Sequence, residues 1–147
     1  MRIDRAGYTF FEMLMAFTVA ATGVAMAAPK ISETVSHMRV DQAAEVTAGD
    51  LSLAASLADR EHKPVRVTID AVNHTVSVTD RGGAILSKRA YGMTSEYDLT
   101  QLSGSPASID LFPNGTTSQA LTLTLGINGF TRHVVMTRAG LVHVVIP

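Results

Sequence analysis

Residues 8–28 form an apolar run of 21 residues with one charged side chain, Glu12. As an α-helix this run is about 31 Å long, which matches the hydrocarbon thickness of a bilayer. Inserting a carboxylate into such a segment costs about 2.5–3.5 kcal/mol. An ionisable residue there is by default functional and needs a partner. Arg2 and Arg5 precede the run, and Lys30 is the first charge after it. By the positive-inside rule the N-terminus stays cytoplasmic and the bulk of the chain is exported.

Two readings of this run need no special role for Glu12. One is a plain signal anchor. The other is a secretory signal peptide: Ala25-Met26-Ala27 is a small-x-small pattern, and cleavage after Ala27 would release a secreted β-rich binding protein. Glu12 fits both badly, because a carboxylate weakens insertion without return.

The rest of the chain is globular in composition. Of 147 residues, 46% are hydrophobic, enough for one core domain plus extra segments. The net charge of −1 gives no basic excess for nucleic acid and no acidic tail for disorder. There is no cysteine, so no disulfide holds the fold.

The stretch 30–63 reads as an amphipathic continuation of the helix. Ile31, Val35 and Met38 recur at helical spacing, and Val46, Leu53 and Leu57 lie near the same face. Val40, Ala44, Leu51, Ala54 and Ala58 widen it. Gly49 weakens the middle by about 1 kcal/mol relative to alanine and marks a bend or a close contact. Pro64 ends the helix. A helix over 8–62 would be about 80 Å long.

After Pro64 the period changes to two. Val65, Val67 and Ile69 alternate with polar residues, and Val72, Val76 and Val78 complete a hairpin turning near Asn73-His74. Further strands are expected at 85–90, 109–112, 121–125, 131–136 and 141–146, with Gly126-Ile127-Asn128-Gly129 as a turn. About seven strands after one long helix predict an α+β fold. Residues 83–108 carry no legible function.

Gly7-Tyr8-Thr9-Phe10-Phe11-Glu12 resembles the class III signal of type IV pilins and of the pseudopilins of type II secretion. Tyr8 departs from the usual phenylalanine, and Phe10-Phe11 replaces an aliphatic pair. The resemblance implies a leader over 1–7, cleaved after Gly7 by a prepilin peptidase. It implies N-methylation of Tyr8, an assembly role for Glu12 and a helix kink at Pro29. Ile109-Asp110-Leu111-Phe112-Pro113-Asn114-Gly115 resembles the F-x-P-x-G segment of H-type minor pseudopilins, and the stretch from Gly140 to Val144 loosely fits their terminal G-x-V-x-V.

The fold so implied is a long transmembrane-plus-amphipathic helix, 8–28 and 29–63, packed on an antiparallel β-rich periplasmic domain, 64–147. The function implied is a structural minor pseudopilin of the inner membrane, a tip or initiation subunit that meets other minor and major pseudopilins. A minor pilin of a type IV or competence pilus is the alternative within the family.

No enzyme, metal or cofactor is expected. His133 and His143 could meet across the last hairpin, but no cysteine or carboxylate accompanies them as a ligand set would require. Asp98 and Asp110 are isolated, unlike the aspartate-rich calcium loop of major pseudopilins. Gly140-Leu141-Val142-His143 lacks the arginines of the competence pilins' DNA-binding segment. Arg132 and Arg138 alone make a thin basic patch, so no nucleic-acid partner is expected.

Overall fold

The computed structural model describes residues 9–146, with the side chains of all but 26–28. Helix α1 spans Phe10–Glu61, and the strands are β1 Val65–Asp70, β2 Thr75–Asp80, β3 Ile85–Ala90, β4 Gln101–Ser105, β5 Ser108–Leu111, β6 Leu121–Ile127, β7 Phe130–Met136 and β8 Val142–Val145. Two compact units divide between Val35 and Ser36. The first is the N-terminal part of α1. The second holds the remainder of α1 and all the strands.

In the second unit the strands form two antiparallel sheets, ordered β3-β2-β1-β5 and β4-β6-β7-β8. Period-two burial sets the register. Val65, Val67 and Ile69 face inward with Val76 and Val78 of β2 and with Ile109 and Leu111 of β5. Leu121, Leu123 and Leu125 of β6 do the same with Val134 and Met136 of β7. Shifting any of these strands by one residue would turn its apolar set outward.

The helix meets this core along a stripe of small residues. Val40, Ala43, Ala44, Thr47, Leu51, Ala54 and Ala58 are buried, and they fall within an arc of about 100°. This corrects the face expected from spacing. Met38 and Leu53 lie on the opposite side of the helix and are 65% and 54% exposed, and Ile31 and Val35 of the first unit are exposed too. Both sides of the helix carry apolar residues, so periodicity alone does not choose between them. Alanines take the inner side, where the larger side chains of the sheets fill the core. Gly49 faces outward, with nothing within 4 Å of an added Cβ. It marks no close contact within the chain.

The helix ends at Glu61, His62 takes φ 51°, and Pro64 follows as expected. The β6–β7 turn is tighter than expected. Gly126 and Ile127 are buried strand residues, and Asn128 and Gly129 alone make the turn, with φ 50° and 87°. Positive φ at both central residues gives the twist of a two-residue hairpin.

The expected strand count misses β4. Its sequence Gln101-Leu102-Ser103-Gly104-Ser105 has one large apolar residue, Leu102. The other inward position is Gly104, where a Cβ would lie 3.0 Å from Ile69 Cγ1. The alternation is present but one of its members has no side chain. The stretch before β4 also joins the core. Tyr91, Tyr97 and Leu99 are buried, with the two tyrosine rings 5.3 Å apart. The Tyr91 hydroxyl is hydrogen-bonded to the Thr47 hydroxyl at 2.8 Å, and Thr47 also donates to the Ala43 carbonyl at 2.7 Å. Burial pushes the Tyr91 phenol up to about 12. Beside it Arg89 of β3 grips Asp50 of α1 through two hydrogen bonds of 2.5 and 3.0 Å.

Two turns are stitched together near the C-terminus. Thr117 N–H donates to the Arg138 carbonyl at 2.9 Å. A Cβ on Gly140 would lie 2.1 Å from the Gly115 carbonyl oxygen, and Gly140 has φ 78°. Gly140 is therefore held to glycine by both space and backbone conformation.

Two outcomes are expected in chemical denaturation of detergent-solubilised protein. Gly140→Ala destabilises by more than about 1 kcal/mol, whereas Gly49→Ala stabilises by up to about 1 kcal/mol. For the buried hydroxyl pair, Thr47→Val costs about 1–3 kcal/mol because it orphans the Tyr91 hydroxyl, whereas Tyr91→Phe costs about 0.5–1.5 kcal/mol because Thr47 keeps its bond to Ala43. Equal costs would show that the two hydroxyls are not coupled as drawn.

Candidate functional site

The described chain opens on a reciprocal cap. Thr9 precedes the first helical residue, and its hydroxyl accepts a hydrogen bond from the Glu12 N–H at 3.3 Å. Glu12 Oε2 in return accepts the Thr9 N–H at 3.1 Å and the Thr9 hydroxyl at 3.3 Å. The Thr9 carbonyl takes the first helical bond, from the Met13 N–H at 3.2 Å. This is the capping box: a Thr at the cap and a Glu three residues on satisfy two donors the helix leaves open. A carboxylate in the first turn also faces the positive end of the helix dipole.

The cap changes how Glu12 is understood. In hydrocarbon an unsatisfied N–H costs several kcal/mol, so Glu12 offsets part of its own insertion cost by capping. The pattern Thr-x-x-Glu was present in the sequence and identifies Thr9 as a partner. All the capping bonds fall on Oε2, so Oε1 carries none of them.

Beyond the cap the first unit is an exposed apolar helix. Phe10, Phe11, Met13, Leu14, Met15, Phe17, Val19 and Val24 are all exposed. It is long and apolar enough to cross a membrane. Glu12 sits at the head of an open apolar groove with Met13, Ala16, Phe17 and Ala20. Pro29 lies inside α1, and the helix continues through it to Glu61. Having no N–H, Pro29 leaves the Ala25 carbonyl without its usual helical donor. Gly7 and Tyr8, the expected cleavage and methylation positions, lie outside the described residues, as does the rest of the leader 1–7.

The other residues singled out in the sequence do not converge. His133 pairs with Val145 and His143 with Val135 across the last hairpin, so the two imidazoles are diagonal rather than opposed. His133 Nδ1 is instead 3.0 Å from the Thr124 hydroxyl. Among the described residues no three His, Cys, Asp or Glu could hold one metal ion. Asp98 pairs with Arg39 at 3.2 Å. Asp110 takes two hydrogen bonds from Arg66, at 2.7 and 3.1 Å, and these hold its carboxyl below the usual aspartate range. Arg132 is spent inside the fold: it pairs with Asp41 at 2.6 Å and lies 4.3 Å over the Phe130 ring. His37 stacks on the same ring with centroids 3.8 Å apart.

No family model and no curated protein matches this chain. Solved structures do. The type IV minor pilin FimU of Pseudomonas aeruginosa superposes with a TM-score of 0.59 at 20% identity, over 72% of this chain and 87% of that one. The minor pseudopilin EpsH from the type II secretion system of Vibrio cholerae superposes with a TM-score of 0.57 at 17% identity, over 74% of this chain and 98% of that one. A long N-terminal helix packed on antiparallel sheets gives this chain the fold of those pilin-like proteins.

Proposed function

We propose that this chain is a membrane-anchored structural subunit of a pilus-like fibre, an H-type minor pseudopilin of a type II secretion system. The observation that carries the reading is the capped carboxylate at the head of an exposed apolar helix, on a pilin-like fold. Residues 1–7 are the leader, removed after Gly7 by a prepilin peptidase, and Tyr8 is then N-methylated. Residues 8–28 anchor the subunit in the inner membrane, 29–63 continue the helix past a bend at Pro29, and 64–147 form the periplasmic domain. The subunit's partners are other minor and major pseudopilins, and its role is structural rather than catalytic. Contact between Gly115 and Gly140 supports the H-type reading, because it joins the two stretches that resemble that family. The likeness to FimU favours a type IV minor pilin as the second reading.

In the fibre the Glu12 oxygen that takes no part in the cap pairs with the Tyr8 amine of a neighbouring subunit. A carboxylate and an ammonium attract strongly only when both are present, close and shielded from water. One axial register brings them together, so the pair also sets the stagger between helices.

Two measurements test this. Intact-mass and N-terminal sequencing of membrane-extracted protein are expected to give a chain beginning with methylated Tyr8. A start at Ala28 would mean a secreted protein and no fibre role. The second separates charge from cap. Glu12→Gln keeps a capping amide oxygen, whereas Glu12→Val loses cap and charge together, at about 1 kcal/mol of helix stability for the cap. Both variants are expected to insert and to be cut after Gly7, and both to fail in cross-linking to neighbouring subunits. Normal cross-linking of Glu12→Gln would show that Glu12 serves the cap alone.

A further inference from the structure

The two sheets end in four edge strands: β3 and β5 in one, β4 and β8 in the other. Exposed edges invite pairing with other chains, and proteins blunt them with charge, bulges, covering segments or proline. Three of these edges are blunted. β3 carries Lys88 and Arg89 and a register shift against β2. β5 is covered on its outer side, where Thr117 bridges Leu111 and the Ser118 N–H donates to the Asp110 carbonyl at 2.9 Å. β4 is polar and stops at Ser105-Pro106.

Among the described residues β8 carries no charge, bulge or covering segment, and Pro147 follows it in sequence only after its last outward residue, Ile146. From Leu141 to Ile146 the chain reads Leu-Val-His-Val-Val-Ile, with no Asp, Glu, Lys or Arg. Leu141 is 66% and Ile146 73% exposed. The hydrogen-bond phase of the hairpin decides which backbone groups are free. The Thr137 N–H donates to the Leu141 carbonyl at 2.9 Å, so Thr137 and Leu141 are a hydrogen-bonded pair. Bonded and non-bonded pairs alternate from there, which turns His143 and Val145 toward β7. The N–H and C=O groups of Val142, Val144 and Ile146 then point away from the sheet.

Beside this edge lies a groove of about 310 Å³, lined by Asp41, Glu45, Arg132, Val144 and Ile146. Arg132 pairs with Asp41. Glu45, one helical turn further on, has no ion-pair partner among the described residues. The edge therefore offers three things together: open backbone groups at alternate residues, half-buried valines that need cover, and an unpaired carboxylate.

We propose that β8 is a strand-addition site that takes an extended segment of a different protein chain, apolar at alternate positions and carrying a lysine or arginine that reaches Glu45. In strand addition the main-chain bonds supply affinity and the side chains supply specificity. A second copy of β8 could match the hydrogen bonds but not the charge. Residues 141–147 hold no lysine or arginine, and two copies paired about Val144 would bring two Glu45 carboxylates to the same side of the joined sheet. β8 keeps these properties whether or not the chain joins a fibre.

The test uses the full-length protein in detergent micelles and fluorescein-labelled synthetic peptides. One peptide is Lys-Thr-Val-Thr-Val-Thr, which sets Lys on the same face as the valines, a second has Glu in place of Lys, and a third carries N-methyl groups on the valines. Fluorescence anisotropy is expected to show saturable binding of the first peptide and at least tenfold weaker binding of the second. Hydrogen exchange over 141–146 is expected to slow with the first peptide. N-methylation, placed on the bonding edge, removes the donors and is expected to abolish binding. Val144→Pro deletes an outward N–H without taking a bond from β7 and is expected to abolish binding likewise. Glu45→Gln is expected to bring the Lys and Glu peptides to within twofold of each other. Should Val144→Pro unfold the domain, the N-methylated peptide makes the same comparison on unaltered protein. Absence of saturable binding, or binding indifferent to N-methylation, overturns the proposal. Protection of 141–146 that rises with protein concentration in the absence of peptide also overturns it, in favour of a second copy.

Discussion

The second unit depends on one face of α1 being buried in a core shared with two sheets. The inner stripe is mostly alanine, with Val40 and Leu51 as its larger members and Thr47 as its one polar member. Because these side chains are short, the core is filled mainly by the Leu, Val and Ile of the sheets rather than by the helix. A hydroxyl in so dry a place must be satisfied within the protein. Thr47 manages this through its own helix and through Tyr91, and that bond ties the loop after β3 to the helix. Ion pairs at Asp50 and Asp41 join the same helix to β3 of one sheet and to β7 of the other. These pairs are partly solvated, so they orient the helix more than they stabilise it.

The first unit obeys a different constraint. Its described apolar side chains are exposed, and such a surface is stable only in lipid or against other helices. Within its apolar run the carboxylate of Glu12 has a local role, the cap with Thr9. That role and a contact between subunits are compatible because they use different oxygens. The cap holds Glu12 at the helix start through Oε2. Preorganising a carboxylate in this way would lower the entropy lost on pairing with a cation.

The chemistry of the surface follows the strand edges rather than any pocket. Carboxylates that look isolated in sequence, Asp98 and Asp110, are answered by arginines from distant elements. Arg132 of β7 is similarly engaged, with Asp41 and Phe130. What remains open along β8 is backbone, where alternate N–H and C=O groups have no strand beyond them, and beside it lies the Glu45 carboxylate.

Much was legible from sequence because it is local. The length and apolarity of 8–28, the helix stop before Pro64 and most of the strands follow from periods of 3.6 and 2 and from proline. The cap at Thr9 and Glu12 was equally local and is written in the spacing Thr-x-x-Glu. Residues distant in the chain decided the rest. Which side of α1 faces inward depends on the sheets, since Met38 and Leu53 carry as strong a periodic signal as the alanines opposite them. β4 is invisible in a hydropathy pattern because its inward Gly104 yields its space to Ile69. Tyr91, Tyr97 and Leu99 are core residues in a stretch without periodicity, placed by Thr47 and their neighbours. Local pattern fixes which elements form, but burial belongs to pairs of surfaces, and only the tertiary structure holds both members of each pair.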